Sequence, residues 1–208
     1  MSPVEVAKFN MIEQQIRPWE VLDHVILNTL ESINRDEFVC DKYKGLAYAD
    51  CQVPIKGKVK MFPPTIEGRM LQALTIAAED KVLEVGSGSG YITACLSRLG
   101  ARVTSIDIDA EMIELAQQNL SATDASRVSF EQVNAFELDR PAEFDVIAVC
   151  GSVVSVPDNL RQALRVGGRM FIICGQSPVM QALLITRVNE TEWSSQSLFE
   201  TDLPALNF

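Results

Sequence analysis

The stretch that decides the fold is KVLEVGSGSGYITACLSRLG, residues 81–100. KVLEV (81–85) is a short apolar run rich in β-branched residues, the signature of a buried strand. Gly86, Gly88 and Gly90 follow at alternate positions, and YITACLSRLG then reads as a helix. Strand, glycine turn and helix in that order place the turn at the carboxyl edge of a sheet, where open α/β sheets bind ligands. Glycine there lets the backbone turn tightly and approach a ligand closely. The spacing is G-x-G-x-G. A dinucleotide fingerprint would need glycine where Tyr91 stands, and no Gly-Lys-Ser/Thr follows to make a nucleotide triphosphate loop.

Downstream, strand and helix alternate. ARVTSID (101–107) is a second strand and AEMIELAQQNLSAT a second helix with Asp109 as its N-cap. RVSFEQV (127–133), FDVIAVC (144–150) and RMFIIC (169–174) are further strands, and the helix VPDNLRQAL is expected to end at Gly167-Gly168. ALLITRV and SQSLFETDL, joined by NETEW, read as a final antiparallel pair. The pattern predicts a doubly wound, seven-stranded α/β sheet over residues 79–208.

Upstream, residues 4–35 are expected to be largely helical, with Leu22, Val25, Ile26, Leu30 and Ile33 at helical spacing and Pro18 as a break. Residues 36–64 read as irregular. Residues 65–78 read as a helix that Thr65 could cap. Residues 1–78 thus form a helical and loop segment ahead of the sheet domain.

The chain has 208 residues, 47% apolar and 22% charged, in the ordinary range for a folded globular protein. Its net charge of -10 and pI near 4.6 argue against a nucleic-acid binder, which needs a basic face. The Lys-rich spots at 42–44 and 56–60 are short and read as solvated loops. Five cysteines without a C-x-x-C pair, and His24 as the single histidine, argue against zinc and fit a reducing cytoplasm. His24 reads as a surface or packing residue. No signal peptide and no membrane span is expected.

The acidic residue before G-x-G-x-G resembles the first motif of class I S-adenosylmethionine methyltransferases. That resemblance implies a Rossmann-like fold with S-adenosylmethionine as cofactor. It implies cofactor contacts at Glu84, Gly86, Ser87, Gly88, Gly90, Asp107, Ile108, Asn134 and Ala135, and no metal. Glu84 on a buried strand needs a positive or hydrogen-bonding partner; the bland alternative is a structural turn with a fortuitous Glu. Asp107, ending the second strand, matches the carboxylate that accepts from ribose hydroxyls. Asn134 suits an adenine amino group, and equally a simple turn.

Longer stretches are similar to the protein-L-isoaspartate O-methyltransferase family. They are MIEQQIRPWEVLDHVILNTLESINRDEFV with Arg35, Phe38 and Val39; LAYADCQVPI with Ala47, Tyr48, Asp50, Pro54 and Ile55; and the run with Pro157, Leu160, Leu164, Gly167 and Gly168. The resemblance covers most of the chain. It implies a soluble cytoplasmic enzyme that methylates the free carboxylate of isoaspartyl residues in damaged proteins, with residues 1–78 covering the acceptor side. The departure falls in GKVKMFPPTIEGRM (57–70). Pro64 and Met70 match the family pattern, but Phe62 stands at the family's active-site Ser and Lys60 at its Thr. Lys60 is the candidate acceptor-side group, with a backbone amide as the alternative. Three readings stay open: an isoaspartyl methyltransferase that works without the Ser, a diverged methyltransferase with another acceptor, and an S-adenosylmethionine-binding protein without catalysis.

Overall fold

The computed structural model describes residues 1–206. Its centre is a sheet whose seven strands, among the described residues, run in the order β5-β4-β3-β6-β7-β8-β9. These are β3 (Lys81–Val85), β4 (Arg102–Asp107), β5 (Val128–Gln132), β6 (Phe144–Val153), β7 (Leu164–Gln176), β8 (Val179–Arg187) and β9 (Trp193–Thr201). β3 to β7 pair in parallel, and β8 and β9 close the sheet as an antiparallel pair. The order reverses between β3 and β6, so the glycine turn after β3 opens at the topological switch point.

Alternation along the strands splits the apolar core in two. Val82, Val103, Val146 and Phe171 face one side, and Leu83, Val85, Ile147 and Ile172 face the other. Helix α7 (Asp158–Ala163) covers the second side through Leu160 and Ala163. Over the first side lie α3 (Pro64–Leu74) and α4 (Tyr91–Arg98), together with α1 (Pro3–Asn10) running into π-helical turns at 11–16, and α2 (His24–Ser32). Met11, Ile16, Leu27 and Leu30 share one apolar cluster with the sheet residues Val82 and Phe171. Helices α5 (Ala110–Asn119) and α6 (Ala122–Ala125) complete the crossover between β4 and β5, and Asp109 caps α5 as expected. No helix of the described residues is long and apolar enough to cross a membrane.

Several local expectations change. Residues 36–64 contain a hairpin, β1 (Val53–Lys56) and β2 (Val59–Met61), with Gly57 at φ 56° in its turn. The α2 stripe is Ile26, Leu27 and Leu30, while Leu22 and Val25 are exposed because they precede and begin the helix on its outer face. His24 is exposed at the first position of α2. Thr65 is not a cap: Pro63 holds that position, and the Thr65 hydroxyl donates to Asp50 at 2.8 Å. Helix α3 ends at Leu74, where Thr75 turns left-handed at φ 42°. Gly167 and Gly168 do not end α7, which stops at Ala163; they lie within β7, where the pairing with β6 skips from Leu164 to Arg169.

One buried cation ties the N-terminal segment together. Arg35 is fully buried and forks onto Glu67, Nε to Oε2 at 2.9 Å and Nη2 to Oε1 at 3.0 Å. The same guanidinium donates to the carbonyls of Ala47 at 2.5 Å and Phe62 at 2.7 Å, and it lies 5.4 Å from the Tyr91 ring centroid. Burial pushes the Glu67 carboxyl pKa up, and the guanidinium pulls against that. Breaking a buried pair by removing one partner typically costs about 3–5 kcal/mol. Arg35→Met should therefore lower unfolding stability by about that amount in a urea titration; a loss within about 0.5 kcal/mol, as for an ordinary surface substitution, would contradict this role.

Candidate active site

The carboxyl end of the sheet holds a cavity of about 870 Å³. Glu84, Gly86, Ser87, Gly88, Asp107, Ile108, Asn134 and Ala135 all line it, and so do Lys60 and Phe62 from the other segment. Gly90 does not. It starts α4 at φ 84°, and a Cβ there would meet the Ala116 carbonyl at 2.9 Å, so its part is to let the loop pack against α5.

Glu84 points to the same side of β3 as Val82, toward α4. Its Oε2 accepts from the Thr93 hydroxyl at 2.6 Å, and the Cys150 thiol lies 4.0 Å from Oε1. Burial pushes its carboxyl up to about 7; the Ser105 and Thr93 hydroxyls oppose that rise and the Asp107 charge adds to it. No cation pairs with it among the described residues. Burial likewise raises Asp107, against backbone N–H bonds that include those of Ser87 and Asp109, each at 3.0 Å. A carboxylate has about four acceptor sites, so Asp107 keeps capacity for a ligand hydroxyl. Asn134 Oδ1 accepts from the Phe136 N–H at 3.0 Å, capping a short turn. That fills one lone pair and leaves its amide N–H groups free to bond. Of the four carboxylates that line the cavity among the described residues, Glu84 is buried without a cation and Asp107 keeps open acceptor sites, which fits a ligand that brings positive charge and hydroxyl groups. The methyl donor expected from the sequence has both.

The opposite wall is the hairpin and the start of α3. A Cβ on Gly88 would sit 3.4 Å from Ile55 Cδ1, so the hairpin rests on the glycine loop. Lys56 pairs with Glu111 on the first turn of α5, an exposed contact of little weight beside the Ile55 packing. Phe62 is buried in the core cluster, and its backbone carbonyl is held by Arg35. No side-chain hydroxyl is present at that position.

Several cavity residues escape the motif reading: Lys58, Glu67, Cys150, Gly151 and the segment 204–206. Cys150 and Gly151 could have been found, since they follow Val149, the last residue of β6 that pairs with β3. Burial and the Glu84 charge push the Cys150 thiol well up, so it stays protonated and is no nucleophile. The C-terminal segment carries no local signal. It lies parallel to the end of β6, with Ser152 N–H donating to Pro204 O at 3.1 Å, Leu206 N–H to Ser152 O at 2.9 Å, and the Ser152 hydroxyl to Leu203 O at 2.9 Å. The Leu206 side chain fills a notch over Gly86 and Gly151; a Cβ on Gly151 would come within 2.6 Å of it. Gly151→Ala should unseat this segment, and the Leu206 amide should lose hydrogen-exchange protection. Unchanged protection of that amide would contradict the packing.

Comparison with known proteins agrees with this geometry. The model of the protein-L-isoaspartate (D-aspartate) O-methyltransferase family matches residues 7–202. A protein-L-isoaspartate O-methyltransferase of Koribacter versatilis is 41% identical over 178 residues, covering 85% of this chain and 80% of the relative. One of Marinobacter nauticus is 33% identical over 189 residues, covering 90% and 86%. The fold matches a solved structure from Plasmodium falciparum, described as a putative protein-L-isoaspartate O-methyltransferase in complex with S-adenosyl-L-homocysteine. The TM-score is 0.82 at 18% identity, over 100% of this chain and 99% of that one. The architecture is that of class I S-adenosylmethionine-dependent methyltransferases, and the chain belongs to the protein-L-isoaspartate (D-aspartate) O-methyltransferase family.

Proposed function

We propose that the protein uses S-adenosylmethionine to methylate the free carboxylate of isoaspartyl residues in damaged proteins, as a cytoplasmic repair enzyme. The observation that carries this reading is one cavity with an acidic glycine-loop wall and a lysine-bearing hairpin opposite it. The relatives' shared name supports the acceptor. S-adenosylmethionine supplies a methyl group on a positively charged sulfur that leaves as a neutral thioether. Glu84 would offset the donor's positive charge, Asp107 would accept from its ribose hydroxyls, and Asn134 and Ala135 would flank its base. Gly86, Ser87, Gly88 and Ile108 would line the same pocket, and Gly90 shapes the loop that carries them.

An acceptor carboxyl with a reference pKa of about 4 is already ionised at neutral pH, so the site needs no general base. The work left to the chain is alignment and exclusion of water. Residues 1–78 serve that end by covering the acceptor side through the hairpin and α3. Phe62 cannot donate the hydrogen bond expected of the family's Ser, and we assign the grip on the carboxylate to Lys60. Phe62 also supports a second reading, an apolar or aromatic acceptor packed against its ring.

Tritiated methyl transfer separates the two. Label should enter an isoaspartyl peptide and spare its aspartyl counterpart; donor binding without transfer to that peptide would favour the second reading. Lys60→Met should raise the acceptor KM on the order of tenfold, the worth of one charged hydrogen bond, with donor affinity unchanged. A change in donor affinity alone would contradict the assignment.

Glu84 predicts a pH profile. Its carboxyl lies near 7 in the free protein, and a nearby cation favours the ionised form. Donor affinity should be full above that pH and fall below it, by up to about tenfold per unit. Glu84→Gln should flatten the profile. A wild-type donor affinity that stays flat through neutrality would contradict the role.

A further inference from the structure

Charge pairing leaves an imbalance at the cavity rim. Every arginine side chain of the described residues has an oxygen partner. Lys8 donates to Asn34, Lys44 and Lys56 pair with Asp41 and Glu111, and Lys42 sits over the Tyr43 ring. The side chains of Lys58, Lys60 and Lys81 have no such partner among the described residues. Lys81 begins β3, at the far end of the sheet. Lys58 and Lys60 both line the cavity. In a chain with 28 acidic residues against 18 basic ones, two cations kept free at one opening are available to an incoming anion.

Their placement suits two negative charges. Lys58 stands in the hairpin turn and Lys60 on β2, and the two side chains, both exposed, line the same cavity. Lys56, at the end of the other strand β1, is already paired with Glu111. The net charge of -10 repels an acidic peptide from most of the surface, so a local positive rim both orients such an acceptor and offsets that repulsion.

We infer that Lys58 and Lys60 form a two-site anion rim, Lys60 holding the reacting carboxylate and Lys58 a second negative charge beside it. The preferred acceptors are then isoaspartyl residues flanked by Asp or Glu. This inference rests on the isoaspartyl reading above and names the substrate class within it.

The test compares two isoaspartyl peptides that differ only in a flanking Glu or Gln, methylated by the full chain. The Glu peptide should have a kcat/KM about threefold to fivefold higher, the scale of one exposed ion pair. The advantage should shrink at high salt, approach one in Lys58→Met and invert in Lys58→Glu. Transfer to neither peptide removes both readings. Equal kcat/KM for the two in the wild type leaves the isoaspartyl reading in place and overturns the rim. So does an advantage that persists both in Lys58→Met and at high salt.

Discussion

The buried guanidinium of Arg35 is the constraint on which the N-terminal half of the cavity wall depends. It joins four separate pieces of chain: its own short helical turn, the Ala47 carbonyl, the Phe62 carbonyl and Glu67 on α3. A charge this deep persists only when fully bonded, because an unpaired one would cost several kcal/mol. Satisfying it fixes where residues 61–67 run, and thereby where the hairpin meets the glycine loop. The tie is positional and chemically inert: Arg35 meets backbone, Glu67 and the Tyr91 ring, while the cavity is lined by the groups it holds in place.

Within that frame, and with Glu67 paired to Arg35, the unpaired charges of the cavity divide by wall. Glu84 and Asp107 stand at the switch point, where glycines bring the backbone close, while Lys58 and Lys60 stand on the hairpin. Such an arrangement suits a transfer between a cationic donor and an anionic acceptor, in which charge is lost as the reaction proceeds. It also accounts for an active site without an engaged histidine: His24 is on the surface, and the cavity cysteine is kept protonated. With the proposed carboxylate as acceptor, position would carry most of the catalysis.

The sheet half of the fold was legible because its signals are local. KVLEV, the alternating glycines and the following helix lie within twenty residues, and the alternation of strand and helix allows few topologies. The hairpin was not legible. Its strands are four and three residues long, one carries Pro54, and proline argues against a strand. Gly167-Gly168 misled for a related reason: glycine after a helix signals its end, yet Gly167 at φ 83° serves a register skip inside β7. The Arg35–Glu67 pair and the contact of Leu206 with Gly151 join residues 32 and 55 positions apart, which no window of sequence reveals. The glycine-loop wall of the cavity was therefore legible from local motifs, whereas the hairpin wall was not. Lys58, read as part of a solvated loop, gained its place only once the hairpin was seen over the cavity.

Calorimetric titration of the wild-type chain with S-adenosylmethionine tests the central claim most directly, since every role assigned to the cavity begins with that ligand. The account predicts saturable binding at one site per chain, abolished or strongly weakened when Asp107 is changed to Ala. Absence of binding at millimolar S-adenosylmethionine would contradict it.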